Sequence, residues 1–176
     1  MKKIILLLFL FLAVTNCEKD DICAENTETT ARLYIEFFNS ANTSFSKNAF
    51  QFLAQGVDNE NIIPDYNVVT TNKVYLPLKT TDNQTQFVLH IDYEINNNGT
   101  PDDTSDDFPE SNPDIITINY ITKQEYVSRA CGYKTVFENV TITVEDDGDN
   151  WIDYTLANTD NEPISNENEA HFNLYH

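Results

Sequence analysis

Residues 86–95, QFVLHIDYEI, alternate strictly, with Phe87, Leu89, Ile91, Tyr93 and Ile95 on one side and Val88, His90, Asp92 and Glu94 on the other. A period of two places successive side chains on opposite faces of an extended backbone, so the stretch predicts a strand with one face in a core. The period recurs in 32–38, where Leu33, Ile35 and Phe37 oppose Arg32, Tyr34 and Glu36, and in 134–144, where Val136, Val140, Ile142 and Val144 are expected to point inward. Residues 49–57 fit a strand through Phe50 and Phe52, with a short helix as the other possibility. Further strands are expected at 68–71, 73–78, 115–122, 124–130, 151–156 and 170–175, with Pro77 marking a strand end or edge because proline cannot donate to a ladder. The run EDDGDN at 145–150 is expected to be a hairpin turn.

Nothing in the chain has the 3.6-residue period of an amphipathic helix, and no segment repeats. The expectation is an all-β fold, an immunoglobulin-like β-sandwich of about eight or nine strands. The immunoglobulin sequence signature itself is missing, since the sole tryptophan, Trp151, follows Cys23 and Cys131 rather than lying between them. Residues 96–114, NNNGTPDDTSDDFPESNPD, carry six acids and three prolines and are expected to form one long acidic surface loop inserted between strands.

The start of the chain is different in kind. Lys2 and Lys3 precede an eleven-residue apolar run, 4–14, which has the make-up of a signal peptide occupying residues 1–16. As a helix the run would span about 17 Å, short of the ~30 Å hydrocarbon core of a bilayer. The residues LAVTNC that end at Cys17 resemble the lipobox of bacterial lipoproteins, with Asn16 where that pattern prefers a smaller residue. The resemblance implies that Cys17 carries a diacylglycerol, that the chain is cut just before it and that the new amino terminus is acylated. Several acyl chains together make a durable anchor where one alone is marginal. The other reading is an uncleaved apolar helix ending in an ordinary thiol. Glu18, Lys19, Asp20 and Asp21 resemble the acidic export tag of surface lipoproteins of the Bacteroidota, which implies the outer face of the outer membrane. A solvated charge run at a terminus is the plainer account of the same residues.

Losing residues 1–16 removes two of the ten bases and none of the 29 acids, taking the formal charge from −19 to −21. Such a surface repels phosphate backbones, so no nucleic-acid partner is expected. An aromatic content of 12% nevertheless excludes an acidic disordered tail. Residues 17–30 are expected to be a lipidated tether and 31–176 one β-sandwich domain, a length that suits a single core. With Cys17 acylated, Cys23 and Cys131 remain, and in an oxidising compartment they are expected to be bonded. Two buried thiols or a reactive thiol are the alternatives, although there is no CxxC and no neighbouring His or Lys pattern.

The segment YVSRACGYKTVFENV at 126–140, with the opening CEKDDIC and the VYLPL piece, resembles an uncharacterised family of flavobacterial lipoproteins, a domain of unknown function. The matching positions are Cys17, Cys23, Leu76, Pro77, Leu78, Ser128, Cys131 and Gly132. The resemblance implies no activity; it implies lipidation, the bridge and a single β domain.

The chain holds no G-x-S-x-G elbow, no H-E-x-x-H pair and no phosphate-binding or dinucleotide glycine loop. His90 and Asp92 share the outer face of their strand and could act as base and orienter, or simply be solvated neighbours. His171 and His176 lie in the last six residues, where exposure is expected and a weak metal site is conceivable. In the acidic insertion, Glu94, Asn96, Asn98, Thr100 and Asp102 reproduce the oxygen-ligand spacing of a calcium loop around a turn-making Gly99, with Ser105 where a bidentate glutamate normally stands. Weakly bound calcium is therefore the one cofactor the sequence offers, against a solvated acidic loop. Two functions are compatible with these residues. One is a surface-anchored, non-enzymatic binding or accessory module of the outer membrane, whose partner is a glycan or an outer-membrane protein. The other is a hydrolase with a site assembled from dispersed carboxylates.

Overall fold

The computed structural model describes residues 22–57, 59, 61–158 and 163–176. The expected signal peptide at 1–16 and the lipidation site Cys17 lie outside the described residues. Ten strands form two five-stranded sheets. In the first, β1 (Leu33–Asn39) is central: β10 (Phe172–Tyr175) runs parallel along one edge and is followed by β9 (Tyr154–Ala157). The other edge of β1 is shared by β2 (Asn42–Ser46) near its end and β5 (Lys73–Leu76) near its start. The second sheet is antiparallel in the order β4 (Val69–Thr71), β3 (Ala49–Gly56), β6 (Gln84–Asn96), β7 (Phe108–Ser128) and β8 (Gly132–Val144). Among the described residues no helix is long and apolar enough to cross a membrane.

The all-β sandwich is as expected, with ten strands instead of eight or nine. Its core lies between the sheets: Leu33, Ile35, Phe37, Val74, Leu76 and Leu174 from the first meet Phe52, Phe87, Leu89, Ile116, Ile118 and Phe137 from the second. Phe37 makes edge contacts with both Phe52 and Trp151. The alternation in β1 holds, and residues 49–57 are strand rather than helix through Gly56.

Five expectations need correction, and the first two have their cause in β-bulges. In β6 the inward row runs through Phe87 and Leu89, but the register to β7 slips between Ile91 and Glu94. Asp92 there has φ 52°, and the extra residue turns Ile95 out to solvent. A bulge in β8 at Asn139, φ 53°, makes Phe137 rather than Val136 the companion of Val140, Ile142 and Val144 at the core. Val136 is buried outside that cluster. The strands expected at 115–122 and 124–130 are a single strand, β7, whose register to β8 shifts at Asn119/Ile121 and at Tyr126/Ser128.

The fourth correction concerns the insertion. The loop expected at 96–114 is only 97–107, because Phe108 to Asp114 already pair with β6. Pro109 and Pro113 are tolerated there because β8 pairs with β7 only from Ile116 onward, which leaves the other edge of this section without a ladder to interrupt. Residues 145–150 are likewise not a hairpin turn: they cross from β8 in the second sheet to β9 in the first.

Candidate functional site

Two features define the molecule's ends, and the 21-residue strand β7 runs between them. At one end β7 turns into β8. Cys131 N donates to Ser128 Oγ at 3.0 Å, and Gly132 takes φ 73°, a left-handed conformation that suits glycine. Cys131 in this turn is bonded to Cys23, with a Cα separation of 4.9 Å across 108 residues of sequence, as expected for the pair. The segment after Cys23 is docked along β8 rather than left as a free tether. Thr135 N donates to Thr30 Oγ1 at 2.9 Å, and Lys134 Nζ donates to Glu28 Oε2 at 2.5 Å. That hydrogen bond and the lysine's charge hold the Glu28 carboxyl below its usual range. At the same tip the rings of Tyr126 and Tyr133 meet edge to face at 5.4 Å, and both side chains are exposed, as are Ile22 and Arg129. Motif reasoning did not single out Tyr126, Arg129 or Tyr133, although all three stand inside the segment that carried the family resemblance.

At the other end, loop 97–107 joins β6 to β7. Thr100 Oγ1 donates to Asp106 Oδ1 at 2.8 Å, Asn98 Nδ2 donates to Asp106 Oδ2 at 3.1 Å, and these bonds lower the Asp106 pKa. Asn96 Nδ2 donates to Glu110 Oε2 at 2.7 Å, and Asn96 Oδ1 accepts from Asn98 N. Glu94 pairs in the ladder opposite Glu110. Of the five calcium-spaced residues, Asn96, Asn98 and Thr100 thus direct their polar atoms at one another, at Asp106 and at Glu110, while Asp102 is exposed. The loop closes on the carboxylate of Asp106, which lies outside the spacing motif. Among the described residues no three His, Cys, Asp or Glu side chains are grouped to hold a metal.

The histidines are built into the body. His90 is half-buried, shares a hydrogen bond with Ser111 Oγ at 2.9 Å and is pushed down in pKa by burial, while Asp92 beyond it is exposed at the bulge. His171 Nδ1 accepts from Tyr34 N at 2.9 Å, which leaves Nε2 to carry the proton toward Asn166 O at 3.0 Å. His176 is buried against Phe37 and Trp151, and burial pushes its pKa down to about 4. The expected exposure of His171 and His176 is overturned: β10 lies beside the central β1, and both residues are drawn in with it.

A cleft of about 450 Å³ between residues 27–32 and 165–167 contains Glu28 and Glu167. Arg32 grips Glu167 with two side-chain bonds, at 3.0 and 2.8 Å, and its own backbone N–H adds a third at 2.8 Å. Both carboxyls are held below their usual range by these cations, the opposite of what a general acid needs. The fully buried carboxyl is Asp114, whose oxygens accept from Trp151 N at 3.3 Å and Ile152 N at 2.8 Å. Burial raises its pKa against the lowering effect of these bonds. Asp114 therefore closes the backbone of the crossover onto β7, a structural role.

A model of a family of unknown function, DUF6452, matches residues 51–176. That span contains Leu76, Pro77, Leu78, Ser128, Cys131 and Gly132 of the resemblance noted in the sequence, but not Cys17 or Cys23. No curated protein and no solved structure matches the chain. With the match running from within β3 to His176, the chain belongs to the family of unknown function DUF6452.

Proposed function

We propose that the protein is a lipoprotein of flavobacterial type, anchored through Cys17 on the outer face of the outer membrane, which works as a non-enzymatic binding or accessory module for a glycan or an outer-membrane protein. The supporting observation is the bond from Cys23 to the β7–β8 turn. Cys23 follows Cys17 by six residues, so an acylated Cys17 can stand no more than about 20 Å from that turn. Loop 97–107 begins from the opposite end of β7, up to about 70 Å away at the ordinary rise of a strand. An anchor at one end and an elaborated polar loop at the other suit a body that presents a surface outward. The cation-held acids of the cleft favour a binding role over a hydrolytic one, since neither Glu28 nor Glu167 is poised to carry a proton.

Metabolic labelling with a clickable fatty acid tests the anchor. Label is expected on the wild type and absent from Cys17→Ala, and label retained on the variant would sink the lipoprotein assignment. Protease added to intact cells tests the face of the membrane. The wild type should be degraded and a variant with Glu18, Asp20 and Asp21 replaced by Ala protected, whereas equal sensitivity would remove any role for the acidic tag.

A further inference from the structure

The β7–β8 tip of this acidic chain carries exposed apolar and aromatic side chains. Ile22 is 80% exposed, Tyr126 60% and Tyr133 66%. Tyr126 and Tyr133 face each other across the ladder, so the hairpin itself, and not a mobile side chain, sets their position. Lys123 bridges to Glu125 and Glu138, and Lys134 is taken by Glu28, whereas Arg129, exposed in the turn, makes no ion pair among the described residues. Tyrosine is a ring with a polar tip, suited to the boundary between hydrocarbon and water. Arginine presents a fork that matches phosphate oxygens. The chain that leads to Cys17 leaves the body at Ile22, and Cys23 fixes that exit against Cys131 at this same tip.

We propose that the β7–β8 tip rests on the lipid headgroup layer, with Tyr126, Tyr133 and Ile22 at the boundary and Arg129 on headgroup phosphate, so that β7 stands out from the membrane instead of lying along it. This rests on the acylation of Cys17. Glu18, Asp20 and Asp21 follow the acyl site in sequence and repel anionic lipid, so among phospholipid layers a zwitterionic one, such as phosphatidylethanolamine, is the one that admits the tip. A body held at one end by acyl chains alone could take any tilt. Two rings and an arginine around the anchor point restrict it.

Hydrogen–deuterium exchange on the membrane-extracted protein, reconstituted into phosphatidylethanolamine vesicles and compared with the same protein in mild detergent, tests the proposal. Peptides spanning 126–133 should exchange several-fold more slowly in vesicles, while those spanning 97–107 should not change. A Tyr126→Ser, Tyr133→Ser double variant, altered only at exposed rings, should lose most of that protection and stay vesicle-bound through its anchor. Mass measurement of the amino-terminal peptide in the same sample separates the two ideas. An acylated Cys17 with an unprotected tip overturns the headgroup contact alone; an unacylated Cys17 overturns the anchor and, with it, the contact.

Discussion

The two ends of β7 are organised by opposite principles. At the β7–β8 turn the contacts are long-range: the bond to Cys23 spans 108 residues, and those of Lys134 to Glu28 and Thr135 to Thr30 span 106 and 105. At the β6–β7 loop they are local, since the bonds of Asn98, Thr100 and Ser105 reach no further than eight residues. Long-range contacts hold one part of a fold against another and cannot be altered without cost to both. Local ones let a loop keep its own shape with little effect on the body. The near end, at the β7–β8 turn, therefore ties the fold together, and the far end, at loop 97–107, is where its sequence can change without unfolding it.

Removing the bridge with Cys23→Ser and Cys131→Ser should have the largest effect. A loop of this length predicts about 5 kcal/mol lost in the chain-entropy account, read as a lower urea midpoint. An unchanged midpoint would break the contrast between the ends. Asp114→Ala, at the section of β7 between them, should cost about 3 kcal/mol, because two buried N–H groups lose their acceptor.

Acid should act on the body more than on either end. His176 titrates near 4 in the fold and near its ordinary 6.5 when unfolded. Below the higher value the unfolded chain takes up the proton, so stability should fall by about 3 kcal/mol between pH 6.5 and 4, as followed by melting at stepped pH. A His176→Phe variant should flatten much of that slope. Glu28 and Glu167, lowered in the fold, give up their contribution only at lower pH still, as each is protonated.

The smallest effects belong to the far loop. Asp106→Ala should leave the urea midpoint nearly unchanged, since its bonds are exposed. Millimolar calcium should raise the melting temperature equally in the wild type and in an Asn98→Ala, Asp102→Ala variant, through screening of the acidic surface. A shift confined to the wild type would instead establish the calcium loop.

The pattern of what could be read in advance follows the same division. Leu33, Ile35 and Phe37 were legible because an uninterrupted strand keeps its period, and the Cys23–Cys131 pair because, with Cys17 set aside as the expected acyl site, only these two thiols were left to pair. Ile95 and Val136 were not, because one extra residue at Asp92 or Asn139 reverses every face beyond it and leaves no mark in composition. Asp and Asn do enter the left-handed region more readily than most residues, but the chain has too many of them for that to select these two. Asp114 was hidden for a similar reason: among 29 acids nothing local marks the one that will be buried. The same abundance made the calcium spacing legible, and the structure answers it with Asp106. Tyr126, Arg129 and Tyr133 were passed over because a strand-turn-strand sequence with exposed aromatics reads as ordinary strand until its neighbours in space are known.

The parallel pairing of β1 with β10, Ile35 beside Phe172 and Phe37 beside Leu174, also bears on how the protein comes to be made. A chain emerging amino terminus first has β1 early, yet one whole edge of that strand stays unpaired until β10 arrives. The first sheet cannot close, nor can His176 seal the core, before β10 has been made and is free to pair. Pairings so distant in sequence form slowly even then. Under the proposed export, the same topology keeps the preceding chain threadable until β10 is free.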